Sequence, residues 1–157
     1  MSQSWVTTAS TNVQAMTNSL TAACDEGYVP DAIHVLEMPN VAQQVDEALD
    51  DATRIIEAYG GDKPSIHFTS IDQEVDFERI HTHVKSAIES ADDAGDAVAV
   101  DITPGRKFMS AIAFATGMRY DADHVFYLYI SSTEYFGRAY PEIPRTAAHL
   151  YDFAEGF

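Results

Sequence analysis

The stretch Asp101-Ile102-Thr103-Pro104-Gly105-Arg106-Lys107-Phe108-Met109 puts two adjacent cations, Arg106 and Lys107, in the first turn of a helix. The free amides of a helix start favour acidic side chains there, by roughly 0.3–1 kcal/mol each. The chain has only 9 Lys+Arg against 25 Asp+Glu, so placing two cations at this end implies an anionic ligand that stabilises them. Gly105 permits close backbone approach, Thr103 offers a hydroxyl, and Arg106 or Lys107 can pair with a phosphate oxygen. The competing reading is a salt-bridged turn in a very acidic protein. A second loop, Thr8-Ala9-Ser10-Thr11-Asn12, sets small hydroxyl and amide groups before another helix start, where backbone amides attract anions. On its own it is equally an ordinary helix cap.

Other chemistries lack their residues. There is no G-x-G-x-x-G after the first strand and no G-x-x-x-x-G-K-[ST], which argues against a standard dinucleotide site or P-loop. His81 and His83 lie two apart on a helix and point to different sides, so they are expected at the surface or a boundary rather than on one metal. His34 and His67 fall in strands and are expected to be structural. Cys24, the single cysteine, lies on an apolar helical face and is expected to be a buried thiol. No local spacing supports a Ser-His-Asp or Cys-His arrangement. No metal and no cofactor is expected.

The elements that must hold the two loops follow from periodicity. Strands are predicted at Trp5–Ala9, Ala32–Leu36, Ser65–Thr69, Ala97–Ile102 and Val125–Ile130. Between them run helices with apolar stripes at Val13, Met16, Leu20 and Ala23; at Val41, Val45, Ala48, Ala52, Ile55, Ile56 and Tyr59 after Pro39-Asn40; at Phe77, Ile80, Val84, Ala87 and Ile88 from about Asp76; and at Met109, Ile112 and Ala113. Four strand-then-helix units predict an α/β, Rossmann-like three-layer sandwich with a mostly parallel central sheet and right-handed crossovers. Ala148-His149-Leu150-Tyr151 is expected to form a short C-terminal edge element, as a strand or a helical turn. Residues 1–157 read as one domain. In such a sheet ligands sit outside the carboxyl ends of the strands, where both loops fall.

The formal net charge is -16 while 46% of the residues are hydrophobic, so the acid overlies a real core instead of marking a disordered tail. Its spread through short groups such as Asp50-Asp51 and Asp92-Asp93 implies a surface that stays hydrated in concentrated salt, hence a halophilic cytoplasm. That field repels long duplex nucleic acid. No apolar run reaches the roughly 20 residues of a membrane span, and Met1-Ser2-Gln3-Ser4 does not resemble a signal peptide. A cytoplasmic location is expected.

Together the two loops resemble those of the CRISPR-associated Rossmann-fold (CARF) domains. Asp101–Met109 is similar to the segment that opens the helix after the fourth strand in that family, except that Pro104 stands where glycine is common. Ala9-Ser10-Thr11-Asn12 stands where the family's first loop belongs. The resemblance implies a haloarchaeal, stand-alone sensor of type III CRISPR antiviral signalling, a homodimer binding a cyclic oligoadenylate across its two-fold axis, with the ring size open. It assigns ligand contacts to Ala9, Ser10, Thr11, Asn12, Thr103, Gly105, Arg106 and Lys107, and leaves Asp101 and Met109 to shape the turn. One alternative is a metal-independent ring nuclease in which Lys107 stabilises developing charge and Ser10 assists positioning. Another is a nucleotide-binding regulatory or scaffolding subunit outside CRISPR systems.

Overall fold

A computed structural model describes residues 1–156. Six strands, β1 (Gln3–Thr7), β2 (Ala32–Glu37), β3 (Ser65–Ser70), β4 (Ala97–Asp101), β5 (His124–Ile130) and β6 (Ala148–Asp152), form one sheet in the order β3-β2-β1-β4-β5-β6. All neighbours pair in parallel except β5 and β6, which are antiparallel. Four helices, α1 (Val13–Asp25), α2 (Ala42–Ala58), α3 (Phe77–Ala94) and α4 (Lys107–Arg119), make the crossovers. The expected Rossmann-like sandwich is the architecture found, and the C-terminal edge element is a strand.

Two faces of the sheet are covered by different helices, and each cover follows an apolar stripe. Met16, Leu20 and Ala23 of α1 and Val45, Ala48, Ala52 and Ile56 of α2 bury against Trp5, Ile33 and Val35. On the other face Val84, Ala87 and Ile88 of α3 and Ala113 of α4 bury against Val6, Val98, Val100 and Val125. The central strands β1 and β4 are therefore apolar on both sides, as parallel strands between two helical layers must be. Gly117 of α4 is a contact position: a Cβ there would stand 3.0 Å from a Val125 methyl.

Several boundaries differ from the sequence reading. The first strand ends at Thr7, not Ala9, because Thr8 and Ala9 turn into the loop that meets Gly105. The helix expected from Pro39-Asn40 is split into a short 3-10 turn, Pro39–Val41, and α2 proper. The fourth strand stops at Asp101, where the Asp101 carboxylate accepts from the Thr103 amide and bends the chain. Among the described residues, no helix is long and apolar enough to cross a membrane.

Candidate functional site

The order β3-β2-β1-β4-β5-β6 reverses direction between β1 and β4, and the loops after those two strands carry the residues singled out above. Asp101, at the carboxyl end of β4, is fully buried and ties them together. Its Oδ2 accepts from Ser19 Oγ of α1 at 2.8 Å and Thr7 Oγ1 of β1 at 3.3 Å, and its Oδ1 accepts from the Thr103 amide at 3.0 Å. Burial raises its carboxyl from 3.8 to about 6, although all of these hydrogen bonds favour the ionised form. Asp101 thus holds β1, α1 and the β4–α4 turn in register beneath the surface.

Above it the two loops press directly on each other. Thr8 Oγ1 donates to the Pro104 carbonyl at 2.9 Å. Gly105 has φ +93°, and a Cβ on it would stand 2.8 Å from Thr8 Oγ1 and 3.3 Å from the Ala9 carbonyl. Glycine is required here by the first loop and by the left-handed backbone, a reason beyond the ligand access for which it was singled out. Met109 is fully buried behind it, in the packing role expected.

The remaining predicted residues are distributed as follows. Asn12 is the N-cap of α1, its side chain accepting from Gln14 N, and Ser10 Oγ accepts from Asn12 N at 3.1 Å. Thr11 is exposed, while Ala9 is buried in the core, so Ala9 presents only backbone to this edge. Thr103 Oγ1 accepts from the Leu128 amide at 3.0 Å. Arg106 is the N-cap of α4 and Lys107 its first residue, with no acidic side chain in that first turn. Arg106 is neutralised by Glu74, through two contacts of 3.0 and 3.2 Å from Nη1. The salt-bridge reading therefore holds for Arg106. Lys107 is exposed and has no ion-pair partner among the described residues.

Two cavities flank this pair of loops. One, of about 420 Å³, is bounded by Ala9, Ser10, Thr11, Gly105 and Arg106 on one side and by Met38, Pro39, Asn40, Asp72 and Glu74 on the other. The second, of about 330 Å³, lies towards β5 and includes Asn12, Thr103, Leu128, Ile130 and Phe136. The second group of residues in each case was missed in the sequence. For Met38–Asn40 and Asp72–Glu74 the available signal was position, since both segments follow strands that end at this same edge. Nothing local marks Phe136.

His83 corrects an expectation: it is buried, not at the surface or a boundary. Its Nε2 donates to the Thr7 carbonyl at 3.0 Å, which makes Nδ1 the acceptor for the Thr69 hydroxyl at 2.9 Å. Burial holds it neutral, with its pKa lowered to about 4. His34 stacks on His67 with centroids 4.7 Å apart, and burial together with the two neighbouring histidines lowers its pKa to about 4. Cys24 is buried as expected, which pushes its thiol up to about 12. Among the described residues no three His, Cys, Asp or Glu side chains gather as a metal site.

No family model and no curated protein matches this chain by sequence. Solved structures do match it. Csm6 from Enterococcus italicus, bound to cyclic hexa-2'-fluoro-hexa-dAMP, aligns with TM-score 0.65 and 14% identity over 98% of this chain and 44% of its own. A type III CRISPR defence DNA nuclease activated by cyclic oligoadenylate aligns with TM-score 0.62 and 14% identity over 83% of this chain and 19% of its own. Can2 from Sulfobacillus thermosulfidooxidans, in complex with cyclic tetra-adenylate, gives TM-score 0.55 and 15% identity over 79% and 31%. The chain spans less than half the length of each. It has the Rossmann-like fold found within these proteins, with the paired loops at its topological switch point.

Proposed function

We propose that this domain binds a cyclic oligoadenylate as a sensor in type III CRISPR antiviral signalling. The observation that carries the reading is the clamp of the two loops at the β1/β4 switch point, bordered by two cavities, with Lys107, which has no ion-pair partner among the described residues, opening α4 directly after the second loop. Anion recognition at this edge is supplied by Lys107 and by the start of α4, which carries no side-chain cap hydrogen bond. Ser10, Thr11 and Asn12 offer hydroxyl and amide groups from the first loop, and Thr103 and Gly105 complete the second. Arg106 joins them once Glu74 is displaced. The fold shared with proteins bound to or activated by such rings supports this ligand class over a mononucleotide.

A ring of several nucleotides exceeds what one protomer's edge encloses, so the site is completed by a second copy across a two-fold axis. The surface we assign to that copy is the outer face of α4 with the β5–β6 edge. The sequence of α4, KFMSAIAFATGMR, is apolar around its circumference, which is expected of a helix covered on both sides. Yet Ala111 and Ala115 are exposed, and on the β5–β6 edge Tyr129 and Tyr151, 6.5 Å apart, are exposed aromatic side chains.

The test is calorimetric titration of the purified protein with cyclic tetra- and hexa-adenylate in high-potassium buffer, with light scattering before and after. Saturable binding by a dimer is expected. No binding of either ring overturns the reading and leaves a regulatory or scaffolding subunit of other specificity. Linear products on prolonged incubation replace the sensor with the ring nuclease built on Lys107 and Ser10.

A further inference from the structure

The parallel ladder between β4 and β5 ends where the chain bends after Asp101, and Pro104 removes the donor that a further rung would need. Ile102 N donates to the Phe126 carbonyl at 3.0 Å, so the backbone groups of even-numbered β5 residues point toward β4. Odd-numbered residues point toward β6, as in Ser131 N to the Ala147 carbonyl. The next rung, Leu128 N–H, is taken by Thr103 Oγ1. The rung after that requires the amide of residue 104 to donate to the Leu128 carbonyl. Residue 104 is proline and has no N–H. The Leu128 C=O and the Ile130 N–H are thereby left side by side on an open strand edge, facing the 330 Å³ cavity that both residues line.

We propose that this edge is the adenine-reading subsite of the ligand, which rests on the oligoadenylate reading above. A C=O and an N–H two residues apart on one strand edge match the Watson–Crick edge of adenine. The N6 amino group donates to the Leu128 carbonyl, and N1 accepts from the Ile130 amide. Hypoxanthine presents a carbonyl and an N–H in the reverse order and is refused. Phe136, 59% exposed at the rim, supplies a stacking face for the base. The cavity shares Thr103 and Asn12 with the phosphate-holding loops, so a base here stays within reach of its own phosphate. Only two β5 residues of that parity extend past β4, too few for an added peptide strand. The size of the cavity is instead within the small-molecule range, which begins at roughly 300 Å³.

The reading is tested by titrating the full chain with cyclic tetra-adenylate and with the same ring built from 7-deaza-adenosine or 1-deaza-adenosine. The 7-deaza ring keeps the edge intact and is expected to bind within about threefold of the parent, whereas the 1-deaza ring loses the N1 acceptor and weakens roughly tenfold or more. Phe136→Ala is expected to weaken the parent ring roughly tenfold without changing the melting temperature. Equal binding of all three rings overturns the subsite, and so does a penalty confined to the 7-deaza ring, which places recognition on the other edge of the base. Unchanged affinity in Phe136→Ala removes the stacking wall. Failure of the parent ring to bind refutes the function itself, a distinct result.

Discussion

Replacing Asp101 by Asn tests whether the buried carboxylate is kept at the expense of stability. Burial raises this carboxyl from 3.8 to about 6, which corresponds to a penalty of about 3 kcal/mol once the pH exceeds 6. In the folded state the group binds its proton more tightly than in the unfolded chain. The penalty is therefore absent below pH 3.8, grows between 3.8 and 6, and is constant above. Asparagine keeps the network satisfied: Oδ1 still accepts from Thr103 N–H, and Nδ2 donates to the Ser19 and Thr7 hydroxyls, which can turn to accept. Asp101→Asn is expected to match the parent near pH 4 and to exceed it by up to about 3 kcal/mol at pH 8. For a domain of this size that is roughly 6–12 °C in melting temperature. The assay is thermal denaturation followed by circular dichroism at intervals from pH 4 to 8. A constant destabilisation at every pH would refute the reasoning, because the ionised oxygen itself would then be holding the loops.

Histidine titration acts in the opposite direction: with His34 and His83 both lowered from 6.5 to about 4, their contribution is intact above pH 6.5 and is lost as the pH falls towards 4. His34→Phe, which keeps the stack on His67 without a charge, is expected to move the acid-unfolding midpoint to lower pH; an unchanged midpoint counts against it. Lys107→Ala removes a cation from the start of α4, so the free protein should melt at the same or a slightly higher temperature. Cyclic oligoadenylate affinity should fall roughly tenfold to a hundredfold, with Lys63→Ala, at an exposed loop position, as the control. Glu74→Gln releases Arg106 from an exposed pair worth about 1 kcal/mol at most, so binding of the ring should tighten with little change in melting temperature. Weaker binding would show that Glu74 itself contacts the ligand. Raising salt from about 0.1 M to 1 M shortens the Debye length from ~10 Å to ~3 Å and should raise the melting temperature through weaker carboxylate repulsion; a salt-independent value argues against a halophilic protein.

The sequence by itself determined the layers and the edge where the loops meet. Helical stripes such as Val45, Ala48, Ala52 and Ile56 must be buried against another element, and near-continuous apolar strands such as Ala97–Val100 fit between two helical layers. The pattern β-α four times over then leaves a parallel sheet, and the Thr8–Asn12 and Asp101–Lys107 loops must fall at its carboxyl edge. Tertiary structure decided what each loop residue does there, because partners distant in the chain are set by the fold and leave no local signal. Glu74 claims Arg106 across 32 positions, and Thr8 claims the Pro104 carbonyl across 96. His83, expected like His81 at the surface or a boundary, is drawn inside because Thr7 and Thr69 offer it an acceptor and a donor there. Pro104 reads in the sequence only as a departure from the common glycine; beside β5 its missing amide leaves a further rung to the Leu128 carbonyl without a donor.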